Sequence, residues 1–155
     1  MDRRDFLAAS MAVTIAAGSA ARAAEPERAA ADALNPPGIA VAGIRMLPVR
    51  GGRYKVWTKK VGSGPIKVLL LHGGPGATHE YLEAMESFLP QAGIEFYYYD
   101  QLGSGNSDQP DDPALWTLPA FVEEVDEVRR GLGLDQFVLY GHSWGGLLAI
   151  DYALK

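Results

Sequence analysis

Residues 136–150 read QFVLYGHSWGGLLAI. The run QFVLYG (136–141) is β-rich and apolar, and from Trp144 onward small and apolar residues continue as in a packed helix. Between them lies Gly141-x-Ser143-x-Gly145. A serine exposed on a sharp strand-to-helix turn needs a strained backbone, and side chains two positions to either side would collide. Glycine at 141 and 145 removes those collisions. The helix that follows points its N-terminal end at the serine, where negative charge is favoured. The five-residue pattern alone is common, so the strand before it and the helix after it are what give it meaning. A glycine-rich turn with a passive serine is the bland alternative.

Working outward, two more apolar runs end at glycine-rich or polar segments: KVLLLH (67–72) and IEFYYYD (94–100). Both are short and unbroken, as expected of strands covered on both faces. HEYLEAMESFLPQAG (79–93) carries Tyr81, Leu82, Met85, Phe88 and Leu89 at helical spacing, with Pro90 closing it. LPAFVEEVDEVRRGLG (118–133) sets Leu118, Phe121, Val122, Val125, Val128 and Leu132 on one helical face. Thr117 serves as its N-cap, and Gly131 or Gly133 ends it. Its acidic cluster (Glu123, Glu124, Asp126, Glu127), one turn from Arg129 and Arg130, reads as a solvated face rather than a cation site. Upstream, IAVAGIRMLPV (39–49) and RYKVWTKKV (53–61) form half-exposed strands joined by an Arg50-Gly51-Gly52-Arg53 hairpin turn. A hairpin followed by alternating strands and helices predicts an α/β fold with mostly parallel central strands.

The 155 residues are enough for one ordinary domain. A net charge of −5 argues against nucleic acid or an anionic membrane as partner. No cysteine occurs, which removes disulfides, thiolate metal sites and cysteine nucleophiles. With three histidines, no histidine-rich metal site is expected, and no cofactor is called for. Residues 1–23 hold Arg3 and Arg4, an uncharged run from Phe6 to Ala21 and the site Ala21-Arg22-Ala23. That layout predicts a twin-arginine type export signal, a periplasmic or extracellular bacterial location and no stable membrane anchor once the signal is removed. A weakly hydrophobic N-terminal helix is the plainer reading. Residues 24–37 form a polar, proline-ended lead-in, and 38–155 the core domain.

Three segments that follow covered strands should meet at the carboxyl edge of the sheet, where ligands bind in open α/β folds. They are His72-Gly73-Gly74-Pro75-Gly76, the run from Asp100 through Gln101, Leu102, Gly103, Ser104, Gly105 and Asn106 to Ser107, and Gly141 to Gly146. Acyl transfer builds negative charge on the former carbonyl oxygen, which preorganised N–H donors must face. Trp144, just after the serine, offers one through its backbone; the glycines of 73–76 let a second strand-end backbone approach. As a phosphate cradle the HGGPG segment is poor, since no Lys-Ser/Thr follows and Pro75 lacks an N–H.

HGGPG, DQLGSGNSDQP and GHSWGG, in this order, resemble the proline iminopeptidase (prolyl aminopeptidase) branch of the α/β-hydrolases, from about residue 40 to the end. The resemblance implies Ser143 as nucleophile, Gly74 and Trp144 as oxyanion-hole donors through their N–H groups, and Asp100 as an organiser of its loop. It implies a peptide or amino-acid amide as substrate, and a cap domain after the sheet whose acidic residues hold the free amino group. Two positions depart from the family's pattern: Leu102 stands where arginine is common, and Ser104 where cysteine is often found. His72 is expected to brace the oxyanion loop, His142 to point away from Ser143, and His79 to sit exposed at a helix start. In this fold the acid and the histidine base follow the serine in the chain. No histidine follows Ser143, and Asp151 lies two turns down the helix, so neither triad acid nor base is expected within these residues. The sequence thus reads as the N-terminal part of a serine hydrolase, inactive by itself. An esterase or lactonase, or a non-catalytic binding protein on the same fold, stays open; serine at the elbow speaks against aspartate-nucleophile dehalogenases and epoxide hydrolases.

Overall fold

The structure is a computed structural model that describes residues 43–155. The expected export signal, the lead-in and the first residues of the opening strand lie outside the described residues. Strands β1 (Ile44–Val49) and β2 (Tyr54–Val61) form an antiparallel hairpin in which Val49 faces Tyr54 and Ile44 faces Lys59. Arg50, Gly51 and Gly52 make its turn with φ of 56°, 66° and 87°. Two glycines take that left-handed backbone readily, but Arg50 needs other support.

Strands β3 (Ile66–Leu71), β4 (Ile94–Tyr99) and β5 (Val138–Gly141) run parallel, with Leu71 level with both Tyr99 and Gly141. The sheet order is β1-β2-β4-β3-β5, with β2 antiparallel to β4. The expected parallel centre with an N-terminal hairpin is what the sheet shows. Because the three parallel strands end level, their following loops emerge at one edge.

Side chains alternate across the strands. Leu69, Leu71, Tyr97 and Tyr99 share one face with Leu47, Val49 and Val56, packed against the helices α1 (Leu118–Leu132) and α2 (Trp144–Leu154). Leu70, Phe96, Tyr98 and Trp57 share the other, beneath Leu82, Met85 and Leu89. That two-sided burial explains the unbroken apolar runs. Strand β5 departs from it: Leu139 packs inward, but Val138 and Tyr140 stay exposed, because the segment covering the second face reaches only β2, β4 and β3.

Helix α1 begins at Thr117, whose hydroxyl accepts the Ala120 N–H at 3.4 Å, and ends at Gly133 in the left-handed region. The segment expected as one helix closed by Pro90 is instead a 3-10 helix over Glu80–Ser87, followed by a second short turn over Pro90–Ala92. Pro90 opens that turn rather than closing the first, since a missing N–H costs nothing at a helix start. Three residues per turn align Leu82 with Met85 over the sheet and leave Tyr81 off that line. Tyr81 and Phe88 are exposed, contrary to the helical spacing.

Candidate active site

Ser143 sits between β5 and α2 with φ 54° and ψ −119°, a backbone that non-glycine residues rarely adopt. A serine preceding a helix ordinarily caps it, but this one makes no side-chain cap bond and its side chain is exposed. The elbow is possible only because its flanks lack side chains. A Cβ at Gly141 would strike the Gly145 carbonyl, and one at Gly145 would strike the carbonyls of Leu71 and His72.

The HGGPG loop lies against this turn: a Cβ on Gly73 would come 3.2 Å from the Ser143 Cβ. Gly73 donates its N–H to the Tyr81 hydroxyl at 2.6 Å, and Gly145 donates its own to the His142 carbonyl at 2.9 Å. Among the described residues, the neighbouring N–H groups of Gly74 and Trp144 have no acceptor. Both donors adjoin the contact between the loop and the elbow: Gly74 follows Gly73, and Trp144 follows the exposed Ser143.

His72 is fully buried, and both ring nitrogens are engaged. Nδ1–H donates to the Gly73 carbonyl at 2.8 Å, and Nε2 accepts the Gln101 N–H at 2.9 Å. Burial lowers its pKa below the usual histidine value, outweighing the Gly73 hydrogen bond and the charge of Asp100. A neutral, doubly bonded ring braces a loop and has no lone pair left for a serine proton. Gln101 completes the tie. Its Nε2 donates to the His72 carbonyl at 2.9 Å, and its Oε1 accepts the Trp144 indole N–H at 2.9 Å. One buried amide thus joins all three glycine-rich segments.

Asp100, also buried, gathers a second set of donors. Oδ1 accepts from the His79 N–H at 3.0 Å and from His79 Nδ1 at 2.8 Å, and Oδ2 accepts the Asn106 N–H at 3.0 Å. Burial pushes its pKa up, but the hydrogen bonds from His79 and Asn106 more than offset this and hold it below the usual carboxylate range. His79 is therefore not exposed as expected. It is buried, stacked on Trp57 at 4.1 Å between ring centroids, because a desolvated carboxylate requires its donors. His142 is exposed, and its Nδ1 lies 3.2 Å from the Tyr81 hydroxyl.

A second correction concerns the acidic cluster. Asp126 pairs with Arg129 at 2.9 Å and with Arg130 at 3.1 Å, as a solvated face would, but Glu124 is fully buried. It follows Val122 and precedes Val125 on the inward side of α1, where Arg50 and the Leu102 N–H meet it. Sequence reading also passed over three working side chains. Gln101 was read only as part of a motif, Tyr81 as apolar helix face, and Trp144 for its backbone alone. The one usable signal was their position beside the glycine segments. Among the described residues, no histidine or acid reaches the Ser143 hydroxyl by hydrogen bond, and Asp151 is exposed on α2.

Residues 67–155, more than half of the chain, match the alpha/beta hydrolase fold family. The chain belongs to that family. This α/β-hydrolase is 55% identical over 115 residues to the proline iminopeptidase of Flavobacterium johnsoniae, covering 71% of this chain and 39% of that one. It is similar in structure to the proline iminopeptidase of Mycobacterium smegmatis, with a TM-score of 0.66 and 33% identity over 72% of this chain and 39% of the other. An epoxide hydrolase of Vigna radiata shares the fold with a TM-score of 0.65 and 25% identity, over 72% of this chain and 35% of the other. The chain spans well under half the length of the relatives it matches. The resemblance to proline iminopeptidases expected from the motifs is met; the shared epoxide-hydrolase fold shows that the sheet alone does not select a chemistry.

Proposed function

We propose that the protein is a serine hydrolase of the proline iminopeptidase type, releasing N-terminal proline or another small residue from peptides or amino-acid amides. The observation that carries this reading is the strained, uncapped Ser143 flanked by the unpaired N–H groups of Gly74 and Trp144. In this reading the Ser143 hydroxyl oxygen attacks the carbonyl carbon and the carbonyl oxygen becomes an oxyanion. The two N–H groups stabilise it, aided by the N-terminal end of α2. Collapse expels the amine and leaves an ester on Ser143, which water then hydrolyses. The attack requires a base to take the hydroxyl proton and an acid to orient that base. His72 and His79 are already committed to other partners, so base and acid come from elsewhere in the full-length protein, and residues 43–155 by themselves are inactive. The identity to proline iminopeptidases supports the choice of substrate. Export by the segment around Arg3 and Arg4 belongs to the same proposal, and replacing both with lysine traps the precursor in the cytoplasm.

The test is turnover by the full-length protein of proline arylamide with its imino group free or acetylated. A proline iminopeptidase loses most of kcat/KM on acetylation. Equal turnover of the two, or faster turnover of plain acyl esters, favours an esterase. Retention of activity by Ser143→Ala overturns the serine mechanism.

A further inference from the structure

Two carboxylates of α1 hold the β1–β2 turn. Glu127 accepts the N–H groups of Arg50 at 2.8 Å and Gly51 at 3.4 Å, which supports the left-handed backbone of Arg50. Glu124 does something else. Its Oε2 meets the Arg50 guanidinium at 3.3 Å, while its Oε1 accepts the Leu102 N–H at 3.0 Å. Leu102 is itself buried, so its N–H has no access to water. The next residue back is Gln101, whose side chain grips the His72 carbonyl and the Trp144 indole. A continuous set of bonds therefore runs from the hairpin turn through Glu124 and Gln101 to the residue beside Ser143.

We propose that Glu124 is a positioning residue for the reaction at Ser143. By fixing the Leu102 N–H it fixes Gln101, and Gln101 sets the orientation in which Trp144 presents its backbone N–H. The inference rests on the hydrolase reading above. Anchoring the hairpin does not by itself call for Glu124, since Glu127 already takes the N–H groups of Arg50 and Gly51. Among the described residues, Glu124 is the side chain that binds the turn to the Leu102 loop.

The groups facing its carboxyl are Arg50 from the turn, Tyr99 from β4, the Leu102 N–H from the loop and Glu127 from its own helix. The buried Tyr99 hydroxyl makes no hydrogen bond of good geometry among the described residues. Burial pushes the carboxyl up to about 7, against the pull of the Leu102 N–H and Arg50. The clamp accordingly gains charge, and tightens on Leu102 and Arg50, as pH rises through neutrality.

The experiment uses the full-length protein labelled with 15N-tryptophan, the Trp144 indole resonance being the one lost in Trp144→Phe. That resonance is expected to titrate with a midpoint near 7, and the titration to vanish in Glu124→Gln. With proline arylamide, Glu124→Ala is expected to lower kcat about tenfold to a hundredfold, the scale of a misplaced site, with KM little changed. Glu124→Gln, which keeps an oxygen for the Leu102 N–H, should recover part of that loss. An indole signal that is flat with pH, or that titrates unchanged in Glu124→Gln, overturns the proposal, as does a loss expressed in KM alone. If Glu124→Ala does not fold, the wild-type and Glu124→Gln titrations decide. Turnover with a flat indole signal defeats the clamp and spares the hydrolase reading. A Glu124-dependent titration without any turnover does the reverse.

Discussion

Gln101 spends both ends of one buried amide on two neighbours, His72 and Trp144, and that changes what Trp144 is expected to do. A backbone donor alone would make its side chain replaceable. The indole N–H to Gln101 Oε1 contact at 2.9 Å means Trp144→Phe leaves a buried acceptor unpaired, a cost of about 1–3 kcal/mol. Urea unfolding of the full-length variant should show a loss of that size, with kcat reduced although the backbone N–H of residue 144 remains. An unchanged midpoint would mean that Gln101 finds another donor. His72 supplies the pH dependence at this scale. Its folded pKa lies below the ordinary value of 6.5, so the unfolded chain binds a proton that the native ring refuses. Its stabilising contribution is complete above 6.5 and is lost as pH falls through that value toward the lowered one. Unfolding midpoints at pH 7.5 and 5.5 should therefore drop more steeply in the wild type than in His72→Asn. Asp100 acts in a separate window: its pKa is lowered, so its contribution is present above 3.8 and lost only below.

The elbow between β5 and α2 works as an element because three backbones cross where only glycine fits. A methyl at Gly145 meets the carbonyls of Leu71 and His72, which belong to β3 and its loop and cannot rotate away. Gly145→Ala should cost about 3 kcal/mol or more, the upper range for overpacking a close-packed site. It should also abolish fluorophosphonate labelling of Ser143 in the full-length protein, since the serine can no longer hold its backbone. Labelling at the wild-type rate would show that the turn relaxes around the added methyl. Helix α1 and the segment after His79 show where elements were legible. Thr117 and Gly133 announced α1 by local capping chemistry, which the structure repeats. The Glu80–Ser87 turn was read as α-helix because Leu82 and Met85 suit either winding.

For the molecule as a whole, β5 is the telling strand. Val138 and Tyr140 on its outer face are exposed, as are Leu147, Ile150 and Leu154 on α2. Apolar side chains exposed at a sheet edge invite association. Residues 43–155 produced alone should bind a hydrophobic dye or aggregate, and Ser143 in them should resist fluorophosphonate. A monomer with a cooperative thermal transition and a labelled serine would contradict both expectations.

The order of strands and helices, the position of the elbow and the three glycine segments were decided by local signals: unbroken apolar runs, caps, and glycine where a side chain would collide. Those signals act within a few residues, so a single sequence carries them. Long-range pairing carries the rest. His79 and Glu124 looked like surface groups because the partners that bury them, Asp100 and Arg50, lie 21 and 74 residues away. Gln101 became the tie between loops only because β3, β4 and β5 end level at one edge of the sheet. Periodicity shows which face of an element is apolar. Whether a polar group on that element is desolvated depends on what the rest of the chain brings against it, and only the tertiary structure decides that.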